Sequence, residues 1–156
     1  MPNFDEHVER SSWTGCFVSS IAAFQATDPS LFQVAWESIG GYVAGGIGGR
    51  IADTGDPPWC GDHRDIFHAL VPTTAVLVRY TPNLLALQQW CRDQASRAAQ
   101  QMGQSPDPLQ GFVRLIESAT WYFAAGAIVG LPVGHATHLL QDSATPKGLP
   151  LICRGF

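Results

Sequence analysis

SATWYFAAGAIVGLPVGHATHLLQ, residues 118–141, runs for 24 positions without a formally charged side chain. A membrane span needs about 20 mostly apolar residues. The continuous apolar part here, residues 121–131, is shorter than that. Gly126, Gly130, Pro132 and Gly134 interrupt the run, and His135 and His138 stand beyond it. Apolar periodicity makes the stretch helical. It reads as a buried helix over residues 109–129, followed by a second over residues 133–143 that carries polar, site-like side chains.

Working back along the chain, the same periodicity predicts further helices over residues 8–26, 31–46, 63–78 and 83–102. Ser30 is suited to cap the second of these. The helix over residues 83–102 has a polar face and reads as solvated, and Pro72 is expected to kink the third. GGYVAGGIGG, residues 40–49, holds six glycines, a density that lets helices approach closely or frees the backbone near a ligand. Residues 53–62, DTGDPPWCGD, read as a Gly/Pro loop. Strand signal is weak, and no repeat or low-complexity tract is present. The expectation is an all-α, single compact domain over residues 1–156, with five or six helices and a metal site between them.

Composition narrows the function. The 156 residues include 9 basic and 13 acidic side chains, a net charge of −4, which argues against a nucleic-acid partner. Only 14% of residues are charged, against a typical ~25%, so an Asp or His in apolar surroundings calls for a partner. Cys16, Cys60, Cys91 and Cys153 form no C-x-x-C pair and read as reduced core thiols. The start, MPNFDEHVER, has no apolar stretch behind basic residues, so a secreted protein is not expected. The location expected is membrane-associated or cytoplasmic.

The chemistry-bearing residues fall in clusters. His138 and Asp142 are four apart and share a helical face, where an imidazole and a carboxylate can bind one cation. A plain His–Asp hydrogen bond one turn apart accounts for the same spacing. His63 and His68 flank Arg64 and Asp65; Arg64 shares a face with His68 and suits an anionic group beside a cation. An exposed helix N-terminus capped by Asp62 is the alternative. Asp53 and Asp56 can bind a cation from a loop, or serve turn chemistry alone. His7 stands by itself near the N-terminus. Four of the five histidines lie close to an aspartate, and convergence on a metal explains them together.

These residues resemble a family of uncharacterised, membrane-bound, metal-dependent hydrolases of bacterial inner membranes. The resemblance lies in Asn3-Phe4-Asp5-Glu6-His7, in the Gly48–Asp53 segment GGRIAD, in His63-Arg64-Asp65-Ile66-Phe67-His68, and above all in the HLLQDSATPKGLPL run from His138 to Leu151. Residues 80–131 are not covered. The resemblance implies metal ligation by His7, Asp53, His63, His68, His138 and Asp142, with Arg64 beside the metal. The family's second loop aspartate falls on Gly55 here, so Asp56 would take its role through a shift. The Gly of its H-R-G is Asp65, and the Thr and Ser around its second His are Phe67 and Ala69.

The function expected is hydrolysis of an ester or phosphoester by a metal-activated water, on a small-molecule or lipid-like substrate. Mixed His and carboxylate ligation suits zinc first, then manganese or iron. Arg64 would offset developing negative charge, and Asp56 or Asp65 would act as general base. The alternatives are a non-catalytic, metal-stabilised helical scaffold or sensor at a membrane, and a plain helical membrane protein without a metal.

Overall fold

The computed structural model describes residues 4–55 and 69–144. Among these the chain forms four α-helices and no strand: α1 (Phe4–Phe24), α2 (Leu31–Gly55), α3 (Leu70–Gln104) and α4 (Pro108–Ser143). The all-α expectation holds, with fewer and longer helices than the periodicity suggested.

Two expected breaks are absent. Residues 109–129 and 133–143 belong to one helix, α4, that continues through Pro132. The last two expected helices therefore merge. Residues 73–104 likewise run on through Pro82 as part of α3. A proline inside a helix removes one backbone hydrogen bond and clashes with the preceding turn. Packing along the remaining turns of α3 and α4 outweighs that local loss. Pro72 lies in the first turn of α3, where backbone N–H groups have no intrahelical acceptor, so it does not break the helix.

Local signals account for the other ends. Ser30 Oγ accepts a hydrogen bond from the Gln33 amide at 3.1 Å, the expected cap of α2. Asp28 turns the chain before it at a positive φ of 59°, which Asp tolerates better than most residues. Asp107 caps α4 by accepting from the Leu109 amide at 3.0 Å, with Pro108 at the first helical position.

Small residues bring the helices together. Gly126, Gly130 and Gly134 of α4 lie directly against the backbone of Glu37, Gly41 and Gly45 of α2. Both sets advance in steps of four and in the same direction, so α2 and α4 run parallel. Any Cβ at these three positions would overlap α2 backbone atoms. On its other side α2 meets α1, with Gly41 against Gly15 and Ser19, and Gly45 and Gly49 against Ser11. These pairs run in opposite directions, so α1 and α2 are antiparallel. The glycines at 126, 130 and 134, which looked like interruptions, are the places where a neighbouring helix sits.

α3 packs along α4 but keeps its backbone away from α1 and α2. Long polar side chains cross that gap. The Glu37 carboxylate, fully buried, accepts from Arg92 Nε at 2.8 Å and from Arg92 Nη2 at 2.6 Å. Gln33 Nε2 adds a third bond at 2.8 Å, and Arg92 Nη2 also donates to the Ala22 carbonyl at 2.9 Å. One guanidinium thus ties α3 to α1 and α2.

The exterior is uneven. Trp13, Phe17, Ile21 and Phe24 form an exposed stripe on α1, and Ile39, Val43 and Ile47 a second one on α2. Trp13 meets Tyr42 edge-on at 5.2 Å, joining the two stripes. No charged residue occurs in residues 11–27, and Glu37 is the only one in residues 29–49. At 1.5 Å per residue the helical parts of these segments, residues 11–24 and 31–49, are about 20–30 Å long, approaching the thickness of a bilayer's hydrocarbon core. α4 is long and apolar enough to cross a membrane. α3, by contrast, exposes Arg79, Asp93 and Arg97.

Candidate metal centre

The antiparallel course of α1 against α2 and α4 brings the start of α1 to the ends of the other two. His7 projects from the second turn of α1, Asp53 from the last turn of α2, and His138 and Asp142 from the last turns of α4. Asp53, expected in a loop, is helical, because α2 continues to Gly55.

His138 is at the centre. Its residue surface is 2% exposed. Its Nε2 lies 3.6 Å from Asp53 Oδ1 and 3.5 Å from Asp142 Oδ2. The His138–Asp142 spacing seen in the sequence therefore does place both groups on one inward face. The His7 ring stands 5.2 Å from the His138 ring, centroid to centroid, and tilted by 48°. His7 is buried at 7% exposure, although a single histidine near a terminus would ordinarily face water, and its Nδ1 has no hydrogen-bond partner among the described residues.

The packing of this end explains the convergence. Ser11, one turn after His7, lies against Gly49, one turn before Asp53. Gly134, one turn before His138, lies against Gly45. The missing side chains let three helices close up just below the polar cluster. Gly48 lies against the Leu131 carbonyl and the His135 amide, which fixes the register of α4 here.

The donor set has the chemistry of a divalent-cation site, two imidazoles and two carboxylates from three helices. In a tetrahedral site with metal–ligand bonds near 2.0–2.1 Å, ligand atoms lie about 3.3–3.4 Å apart. The two distances at His138 Nε2 come close to that edge length. As placed, no three His, Cys, Asp or Glu side chains among the described residues are near enough together to hold an ion. This holds of His138, Asp53 and Asp142 with or without His7, so a cation would require the side chains of the set to draw together.

Electrostatics keep His7 neutral. Burial, and next the His138 imidazole, hold its pKa below the ordinary 6.5, against the opposing pull of Asp142 and Asp53. A folded-state pKa below the unfolded one means that the unfolded chain binds the proton more readily. This contribution to stability is complete above the unfolded pKa and is lost as the pH falls through 6.5 toward the folded value. In EDTA, the thermal midpoint of the metal-free protein is expected to fall between pH 7 and pH 5. His7→Gln should flatten part of that dependence; an unchanged profile in the variant would contradict the assignment.

The remaining sequence candidates, Asp56, His63, Arg64, Asp65 and His68, lie outside the described residues. So does the stretch from Thr145 to Leu151 that carried part of the family resemblance. Among known proteins the chain matches no family model, no curated protein and no solved structure. The sequence reading had no place for the Glu37–Arg92 clamp. Glu37, the one charge between Asp28 and Arg50, was the available signal.

Proposed function

We propose that the protein is a membrane-associated, metal-dependent hydrolase acting on an ester or phosphoester, with His7, Asp53, His138 and Asp142 as the ligands its helices contribute. One observation carries this reading: a deeply buried imidazole nitrogen with two carboxylate oxygens at 3.5 Å and 3.6 Å, near the edge length of a tetrahedral site. Gathering two carboxylates and two imidazoles in a charge-poor interior carries a desolvation cost that a cation would offset. Zinc suits the donors best, with manganese or iron next. A divalent cation there would polarise the scissile group and lower the pKa of water. The neutral His7 is already in its ligating form. His63, His68 and Arg64 remain further candidates on the α2–α3 connection, whose flanks Gly55 and Ala69 end α2 and precede α3.

The apolar α1–α2 face and the span-length α4 support membrane association. Deep burial of His138 and Asp142 also favours a second reading, a closed structural site that holds a scaffold together.

Elemental analysis of the purified chain tests the shared claim; a protein without stoichiometric metal would end both readings. Asp142→Ala separates them. In a catalytic site the variant is expected to stay folded and to lose at least about a hundredfold in metal affinity or turnover, the size of effect reached when a ligand shell is damaged. In a structural site it is expected to unfold together with metal loss.

A further inference from the structure

His7 Nδ1 and Ser11 Oγ sit one turn apart on the inward face of α1, both buried, and neither has a hydrogen-bond partner among the described residues. Ser11 is fully buried against Gly49 of α2, where an added Cβ would come within 2.6 Å of the hydroxyl. Other serines of α1 spend theirs: Ser19 donates to the Gly126 carbonyl at 3.1 Å and Ser20 to the Cys16 carbonyl at 2.8 Å. A buried hydroxyl without a partner costs stability, and alanine would fill the same place without that cost. Packing alone therefore favours alanine at position 11.

We infer that Ser11 is a positioning residue of the proposed metal centre: its hydroxyl accepts a hydrogen bond from His7 Nδ1–H while His7 Nε2 faces the cation. This role rests on the metal reading and adds to it the group that orients one ligand. A metal-bound histidine almost always donates its second ring N–H to a carboxylate, a carbonyl or water, which fixes the tautomer and the ring. The carboxylates that act on His7, Asp142 and Asp53, belong to the ligand set themselves. Ser11 does not. Each Cα–Cβ bond of a helix tilts toward the N-terminus, which carries the Ser11 hydroxyl toward His7. Residues four apart have Cβ atoms about 5–6 Å apart, a gap that a hydroxyl and the nearer ring nitrogen, Nδ1, can close with a hydrogen bond. As placed, the two atoms are not bonded to each other, so the bond belongs with the drawing together of side chains that a cation requires.

The test uses the full chain in a non-ionic detergent. Zinc affinity is measured by competition with a chromogenic chelator, and the thermal midpoint is measured separately in EDTA. Ser11→Ala is expected to bind zinc about tenfold more weakly or worse, the usual effect of removing a partner of a ligating histidine. Its midpoint in EDTA should stay at or above that of the parent, because an unpaired hydroxyl has been removed. A serine needed only for packing gives the opposite pattern, a lower midpoint with unchanged affinity, and that result would overturn the inference. In a His7→Ala background, where the donor is gone, Ser11→Ala should cost no more than about twofold further. This comparison decides the matter even if Ser11→Ala is itself less stable; the same tenfold loss in both backgrounds would overturn the inference. Ser118→Ala removes another buried, unpaired hydroxyl, five turns from His138 along α4, and should leave zinc affinity unchanged. A loss there equal to that of Ser11→Ala would mean that any buried serine matters, and would also overturn the inference. A parent chain that takes up no zinc sinks the metal reading and this role together. A parent and a Ser11→Ala variant of equal zinc affinity sink this role alone.

Discussion

Glu37→Ala is expected to lower stability by about 3–5 kcal/mol, the usual cost of removing one partner from a buried ion pair. Arg92 is the reason. Its side chain is 12% exposed and spends Nε and Nη2 on the two carboxylate oxygens of Glu37. Without them the Ala22 carbonyl is the acceptor it keeps among the described residues, and its charge stays in a gap between helices. Because α3 keeps its backbone away from α1 and α2, the loss should show first as loosening of α3. For a chain of this size the thermal midpoint should fall by roughly 10 °C or more. Circular dichroism gives the midpoint, and hydrogen exchange along residues 88–95 gives the locality. Glu37→Leu combined with Arg92→Met is expected to recover most of the loss, since apolar replacement of both members of a buried pair is often neutral or stabilising. A midpoint within a degree or two of the parent for Glu37→Ala would show that the clamp carries no weight.

Gly130→Leu is expected to be as damaging, by a different route. Gly130 lies against the backbone of Gly41, so the added side chain meets main chain and not the flexible end of a side chain. Relief requires α2 and α4 to separate, and with them the Gly126–Glu37 and Gly134–Gly45 contacts in the same row. A cost of about 3 kcal/mol or more follows, at or above the upper end of ordinary overpacking. Separation at Gly134 would also pull His138 away from Asp53, so the proposed metal binding should fall with stability. Gly111→Ala is the control. A Cβ there meets nothing within 4 Å, and the variant should gain about 0.5–1 kcal/mol from helix propensity. Chemical denaturation of both variants decides the matter. Equal stability of Gly130→Leu and the parent would mean that the glycine row does not set the helix spacing.

Much of the fold was readable before any coordinates. Period-3.6 apolar patterning, the Ser30 cap and the absence of strand signal are local properties, and they hold. Helix ends were less readable because Pro82, Pro132, Gly130 and Gly134 look like breaks in one dimension. Whether a helix continues through them depends on what packs against it. The candidate site divides in the same way. His138 and Asp142 face the same direction because they are four apart on one helix, which spacing alone dictates. Asp53 looked like a loop residue because Gly55 and the following prolines dominate its neighbourhood, yet α2 reaches it.

By itself, then, the chain's order of residues determined that it is helical, that charge is scarce inside it, and that His138 pairs with Asp142, all consequences of interactions within a turn or two. Tertiary structure alone decided that His7, Asp53 and His138 meet, and that Glu37 finds Arg92. Those pairs are separated by tens of positions or more; the glycine-spaced docking of α1, α2 and α4 joins the first three residues, and the long Arg92 side chain reaches Glu37 from α3.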